Sequence, residues 1–372
     1  MIPGHPIPHT LTLTLMKPER LFLLLCVCAA ILSCTARPDR PLPRGKASPA
    51  MNQAFEAYLQ AVADHNEDLH SVMVLQHGKV VAEKQIAPDT AHFMMSVSKT
   101  FTATAVGFAI TEGLLSLDDM IVDLFPDSVP EPVSDTVCRM TIRHLLTMNS
   151  GHGTDPTYSV RSGDGDWVKG FMEWPVAYEP GTCYCYNSLG TYVLSAAVQK
   201  VTGQKVVDYL ETRLWQPLGI EKPYWLESPA GINTGGWGLY LRTEDLARMG
   251  LCLLNGGKFR GKQVIPADWV REMSAAQVSS VSAGVNEHQV AEIRTDPANP
   301  FYSYFDPEQS DWQQGYGYQM WRCRHGAFRA DGANGQYILI LPDQDAVIVT
   351  TAHIPNMRQE LNLIWDHLLP AL

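Results

Sequence analysis

The 372-residue chain lacks an excess of basic residues: 28 Lys and Arg face 39 Asp and Glu, a net charge of −11. That balance excludes nucleic acid as the main partner, since phosphate binding needs a basic surface, and it disfavours attraction to anionic lipid. Long apolar runs are also missing. The longest, Leu21 to Leu32, is twelve residues, short of the ~20 a spanning helix needs. There is no Gly-x-Ser-x-Gly elbow, His-Glu-x-x-His pair, phosphate-binding Walker loop or dinucleotide Gly-x-Gly-x-x-Gly. With 45% hydrophobic and 18% charged residues, the composition is that of a folded globular protein, not a disordered or fibrous one.

Cysteine is too scarce for a disulfide scaffold. Of the eight, Cys26 and Cys28 fall in the short apolar run and Cys34 just after it. Five remain (Cys138, Cys183, Cys185, Cys252 and Cys323), so at least one is unpaired. Cys183 and Cys185 are two apart, on one face if the segment is a strand. No second Cys or His pair has zinc-type spacing nearby, so these thiols are expected free and buried.

The amino-terminal pattern is that of an export signal. Lys17 and Arg20 precede the apolar run, and small residues follow it. Met16 heads the pattern better than Met1, so residues 1–15 are expected to lie outside the translated protein. Ile31-Leu32-Ser33-Cys34 resembles a bacterial lipobox, which implies cleavage before Cys34 and a lipid on its thiol. Residues 34–47, Pro-rich and polar, are expected to be a tether. The expected location is therefore the periplasm or cell envelope, with membrane contact only through that lipid.

From residue 48 the patterns are those of a folded domain. Ser48-Pro49 opens a helix running to about His65, with Phe55, Tyr58, Leu59 and Val62 on one stripe. Residues 71–75 and 79–83 flank His77-Gly78 as a β-hairpin. Residues 96–112 form a helix that is apolar nearly all round and stopped by Gly113, so it belongs in the middle of the protein. Further helices are expected at 138–148, 188–202, 205–213, 243–255 and 266–275. Residues 276–312 have no periodicity and are expected to be a long surface loop that shapes a binding site. A second hairpin (337–341 and 346–350) and an amphipathic helix (356–369) close the chain. The two ends are expected to assemble as one α/β part (about 48–93 and 310–372), with a mostly helical part (about 94–300) inserted. A cleft between them would hold a ligand.

The chemistry centres on Ser96-Val97-Ser98-Lys99. Ser and Lys three apart on a helix share a face. A buried, neutral amine can take the proton of a neighbouring hydroxyl, and a helix N-terminus favours a developing oxyanion. The competing expectation is an N-capping serine and a solvated lysine, but Lys99 lies in a segment that otherwise wants burial.

Ser96-Val97-Ser98-Lys99-Thr100 resembles the nucleophile motif of the serine β-lactamase and penicillin-binding-protein superfamily, closest to its class C and esterase branch. Leu114 to Pro126, Met140 to Gly151, Pro180-Gly181-Thr182, Thr243 to Arg248 and Gly335-Gln336-Tyr337 through Pro342 are similar to other stretches of that family, in order. The resemblance implies an α/β fold with an antiparallel sheet flanked by helices and a mostly helical insertion. It implies catalysis by Ser96, Lys99 and Tyr186 without a metal or organic cofactor. Tyr186-Asn187-Ser188 matches the family's Tyr-x-Asn with Ser188 in place of Asn. This Tyr-x-Ser form resembles the branch of 6-aminohexanoate-dimer hydrolases and related family VIII-type esterases. Beside a cationic lysine, Tyr186 would have a lowered pKa and shuttle protons.

The place of the family's Lys-Thr-Gly is taken by Ala330-Asp331-Gly332. Gly332 admits close approach of a substrate, and the Ala333 N–H with that of Ser96 would form the oxyanion hole. Without the motif's cation, hydrolysis of a small ester or amide is expected rather than β-lactamase or D-alanyl carboxypeptidase activity. A non-catalytic penicillin or peptidoglycan sensor is the remaining alternative. His152 is expected on a surface loop, and Trp167, Trp174, Trp237 and Tyr318 in the core. Asp118-Asp119 and Glu244-Asp245 are expected to complement helix starts.

Overall fold

The computed structural model describes residues 41–163, 165–280 and 308–372. The expected export signal, the Cys34 lipid site, residues 34–40 of the tether and the loop centre 281–307 lie outside the described residues.

Helix α1 (Pro49–Asp64) starts where Ser48 caps it, its hydroxyl accepting from the Met51 N–H, and buries Met51, Phe55, Tyr58 and Val62. The chain then makes β1 (Leu69–Gln76), β2 (Lys79–Gln85) and β3 (His92–Met94), and enters α2 (Ser98–Thr111). The middle of the chain supplies α3 (Trp167–Glu173), α4 (Ser188–Thr202), β4 (Leu239–Leu241), α5 (Thr243–Leu254) and α6 (Ala267–Ser274). Its end supplies β5 (Trp321–Arg322), β6 (Phe328–Gly332), β7 (Gln336–Leu341), β8 (Ala346–Ala352) and α7 (Met357–Leu363).

Six strands form one antiparallel sheet in the order β2-β1-β8-β7-β6-β5. Alternation along each strand sends side chains to two apolar layers. Val72, Val74, Tyr337, Leu339 and Ile348 pack with α1 and the carboxy-terminal helix. Met73, Leu75, Ala330, Ile338, Val347 and Val349 pack with α2, α4 and α5 on the other face. The result is three layers, with antiparallel strands covered by helices on both sides, as expected for this class.

Several local expectations change. The expected helix 138–148 is two short helices, Asp135–Cys138 and Ile142–Leu146. Residues 42–45, counted with the tether, run along the free edge of β2. Gly45 donates to Val80 O, Val80 donates to Pro43 O, and Leu42 is buried. Arg44 pairs with Glu83 and Glu244. Covering an edge strand satisfies backbone groups that would otherwise stay open. Asp118 and Asp119 precede the next helix, Ile121–Leu124, rather than start it. Asp119 accepts from the Ser116 N–H, and Asp118 pairs with Arg143. Glu244 and Asp245 do occupy the first turn of α5. At the ends of the 276–312 segment, Ser280, Ser310 and Asp311 are buried, not at the surface. Asp311 takes hydrogen bonds from Arg324 and Trp365, which pull this stretch inward.

α2 is buried on nearly every side, so its packing tolerates little change. A Cβ at Gly107 would run into the Trp269 indole, which is itself held by a hydrogen bond from Nε1 to Ala103 O (3.1 Å). Gly107→Ala should therefore lose about 1–3 kcal/mol of stability by overpacking, outweighing its better helix propensity. A lower urea midpoint at unchanged slope would show it. An unchanged or higher midpoint would mean the indole has room to move.

Candidate active site

Ser96 sits in the turn that joins β3 to α2, two residues before the helix proper. The Ser98 N–H bonds Met95 O and the Lys99 N–H bonds Ser96 O, which closes a tight turn. Ser98 provides the structural tie: its hydroxyl donates to Met94 O (3.1 Å) and accepts from the Leu239 N–H (3.3 Å). The helix cap position is Val97, without a side-chain cap. Ser96 is therefore not a capping serine. Its hydroxyl is left for Lys99, whose Nζ lies 2.8 Å away.

Lys99 is buried. Its amine also reaches Ser188 Oγ (3.0 Å) and Gly236 O (3.0 Å). Burial pulls its pKa down from 10.5 to about 7, against the opposing charges of Asp155 and Asp331. At mildly alkaline pH a large share of the amine is thus neutral and able to accept a proton. Its Nζ also lies 4.9 Å from the centroid of the Tyr186 ring.

Tyr186 is hydrogen-bonded to Ser96, yet burial raises its phenol above the ordinary value. This overturns the expectation of a lowered pKa. Burial is the largest influence on this phenol and outweighs the Ser96 hydrogen bond that lowers it. Tyr186 therefore stays protonated, with its hydroxyl hydrogen-bonded to Ser96. Its ring is stacked on Trp321 (centroids 5.6 Å, interplanar angle 21°) and meets Tyr316 edge-on, which fixes where the hydroxyl points.

Ser188 starts α4, and its N–H donates to Asp155 Oδ2 (3.2 Å). Gly332 ends β6 against the nucleophile's neighbour: a Cβ there would lie 3.1 Å from Val97 Cγ2. Ala333 follows in the exposed turn between β6 and β7. Ser96, Lys99, Tyr186 and Ser188 thus converge on one centre, and Gly332 borders it.

His152 does not lie on the surface. It is fully buried, with Nδ1 2.8 Å from Ser150 Oγ and Nε2 3.1 Å from Phe171 O. Burial holds its pKa down to about 4, so the ring is neutral. Trp167 and Tyr318 are in the core, whereas Trp174 and Trp237 are only half-buried. The five cysteines among the described residues are free, but Cys138 and Cys183 are only partly buried.

Three further residues shape the site, and of these only Gln336 lies in a stretch already matched to the family, Gly335-Gln336-Tyr337. Gly236 offers its carbonyl to Lys99 from a Gly-rich run, Gly235-Gly236-Trp237-Gly238. A Cβ at Gly236 would press on Ser188 O at 2.9 Å. Gln336 locks the approach to the nucleophile: its Oε1 accepts from the Met95 N–H (2.8 Å) and its Nε2 donates to Phe93 O (2.9 Å). Asp155 anchors Ser188. For Gly236 the visible signal was the glycine run, since side-chain-free positions permit close backbone approach. Gly236→Val should lower kcat at least tenfold by displacing the Lys99 acceptor, checked by ester hydrolysis alongside far-UV circular dichroism. Full activity in a folded variant would remove Gly236 from the site.

The three-layer frame and the serine–lysine–tyrosine centre are those of a serine hydrolase. The chain belongs to the Beta-lactamase family, whose model matches residues 55–369. The 6-aminohexanoate-dimer hydrolase of Paenarthrobacter ureafaciens is 28% identical over 305 residues, 76% of this chain and 72% of that protein. Esterase EstB of Burkholderia gladioli is 27% identical over 176 residues, 40% of this chain and 44% of its own. Among solved structures, a penicillin-binding-protein homologue from Caulobacter crescentus superposes with a TM-score of 0.64 at 16% identity, covering 88% of this chain and 99% of its own.

Proposed function

We propose that this enzyme hydrolyses a small ester or amide through an acyl-enzyme on Ser96. The observation that carries the reading is the buried Lys99 amine, 2.8 Å from Ser96 Oγ and held near pKa 7. The neutral amine accepts the hydroxyl proton as Oγ attacks the substrate carbonyl. The N–H groups of Ser96 and Ala333 bind the oxyanion, beside Gly332, whose lack of a side chain lets Gln336 and Val97 pack against β6. Tyr186 passes a proton to the departing alcohol or amine and is reprotonated from Lys99. Ser188 keeps Lys99 oriented. Water then attacks the acyl carbon, giving its proton back through the same pair and freeing Ser96. The enzyme works outside the cytoplasm in this reading, held by a lipid on Cys34.

The test is intact-protein mass after exposure of residues 35–372 to a fluorophosphonate, with Ser96→Ala in parallel. One adduct, absent from the variant, supports an activated Ser96. A folded wild type that takes up neither the fluorophosphonate nor a smaller acylating reagent would favour a non-catalytic binding role.

The same lysine sets a pH dependence. kcat/KM should rise with pH through about 7 as Lys99 loses its proton. A profile flat from pH 5.5 to 8.5 would exclude Lys99 as the base.

A further inference from the structure

The turn between β6 and β7 carries the Ala333 N–H, and it is held from two sides. In front, Gln336 ties it to Met95 and Phe93, next to the nucleophile. Behind, Asn334 O accepts from the Ile354 N–H (3.0 Å) and Gly335 O accepts from the Thr350 hydroxyl (2.8 Å). Asn334 and Gly335 have φ of +68° and +75°, a backbone shape that glycine adopts freely and asparagine tolerates.

Glu360, on α7, packs against the back of this turn. Its side chain is fully buried, and a Cβ at Gly335 would overlap its Oε2. Among the described residues neither carboxyl oxygen has a hydrogen-bond partner at ordinary distance. A lone carboxylate in such a place is costly, so the group is neutral. Burial pushes its pKa well above the usual carboxylate range, and the charges of Glu67 and Asp331 add to the rise. The Thr350 hydroxyl reaches toward the carboxyl and opposes that rise, but its single proton already goes to Gly335 O. The proton between the two side chains is therefore the one on Glu360.

We propose that Glu360 is a positioning residue for the oxyanion hole: its protonated carboxyl donates to the Thr350 hydroxyl, Thr350 holds Gly335 O, and this relay fixes the turn that presents the Ala333 N–H. The proposal rests on the hydrolase reading above. Losing the carboxyl empties the space behind Gly335 and loosens its Thr350 tie. A donor shifted in this way fails the tetrahedral oxyanion more than the bound ester, so kcat suffers and KM does not.

The first test is independent of activity. The infrared difference spectrum of wild type minus Glu360→Gln at neutral pH should contain a protonated-carboxyl band, and its absence would overturn the proposal. The second test is kinetic. On an ester the wild type cleaves, Glu360→Leu should lower kcat by about tenfold or more with KM within about twofold. Inhibition by phenylboronic acid, whose tetrahedral adduct on Ser96 also uses the oxyanion hole, should weaken by a similar factor. Glu360→Gln, neutral and of the same shape, should keep all three values within about twofold of wild type. A purely structural role would lower the urea midpoint of Glu360→Leu and leave kcat and boronate affinity of the folded enzyme unchanged. That result, or a Glu360→Gln as impaired as Glu360→Leu, would overturn the positioning role and leave the hydrolase reading intact. If Glu360→Leu fails to fold, Thr350→Val decides. It keeps the volume but removes the tie to Gly335 O, so it should show the same loss of kcat, with Thr350→Ser restoring it; an unchanged kcat would overturn the proposal. If the wild type cleaves no ester and Ser96 takes up no phosphonate, the hydrolase reading falls and the positioning role with it.

Discussion

Ser96→Ala should abolish turnover, lowering kcat by about 10⁴-fold or more on any ester the wild type cleaves, because nucleophiles acting as one unit with their base lose nearly all of its effect when removed. Stability should stay within about 0.5 kcal/mol of wild type, as for a substitution away from the core. The structural grounds are specific. Ser96 is half-exposed, and its hydroxyl serves Lys99 and Tyr186, while Ser98 ties the turn to Met94 and Leu239. Ser98→Ala should therefore do the opposite: lower the urea midpoint while leaving Ser96 reactive toward the phosphonate. A Ser96→Ala variant with more than a tenth of wild-type kcat would refute the nucleophile assignment.

Lys99→Met should lower kcat/KM by about 10³-fold, the usual range for losing a general base, and should erase the limb of the pH profile near 7. Its effect on stability has the opposite sign. The unfolded chain holds the lysine proton up to the ordinary 10.5, and the folded chain only to about 7. The unfolded state thus binds more protons between these values, and stability rises with pH across that window. The cost of burying the amine is complete below about pH 7 and fades toward 10.5. Met removes that cost, so the stability of Lys99→Met relative to wild type should be greatest at pH 6 and decline by pH 9.5. Urea melts at the two pH values measure it. A difference that stays constant would mean that the folded and unfolded lysines share one pKa.

Much of this arrangement was visible along the chain. Short apolar runs on either side of a turn gave the two hairpins, which join in the sheet through β1 and β8, because such runs bounded by turn residues form paired strands. The all-round apolar segment after Ser96 gave the central helix, because such a surface has nowhere to go but inside. Ser96 and Lys99 were legible for a local reason: three residues apart, their relation is fixed by one turn of backbone.

Other features depended on partners distant in sequence. Nothing near His152 showed that Phe171 would cover it and hold it neutral. The Tyr186 phenol was expected lowered by a neighbouring charge and is raised instead, since its pKa depends on how completely the surrounding aromatics exclude water.

By itself, then, the sequence determined the strand and helix patterns, the serine–lysine pair and the absence of a cation in the third motif. All of these follow from local spacing or residue identity. Only the tertiary structure decided the protonation of Lys99 and Tyr186 and the placement of Gly236, Gln336 and Asp155 at the site. Each of these depends on desolvation or on contacts across dozens to hundreds of residues, and the energy of a charge depends on its surroundings far more than on its place in the chain.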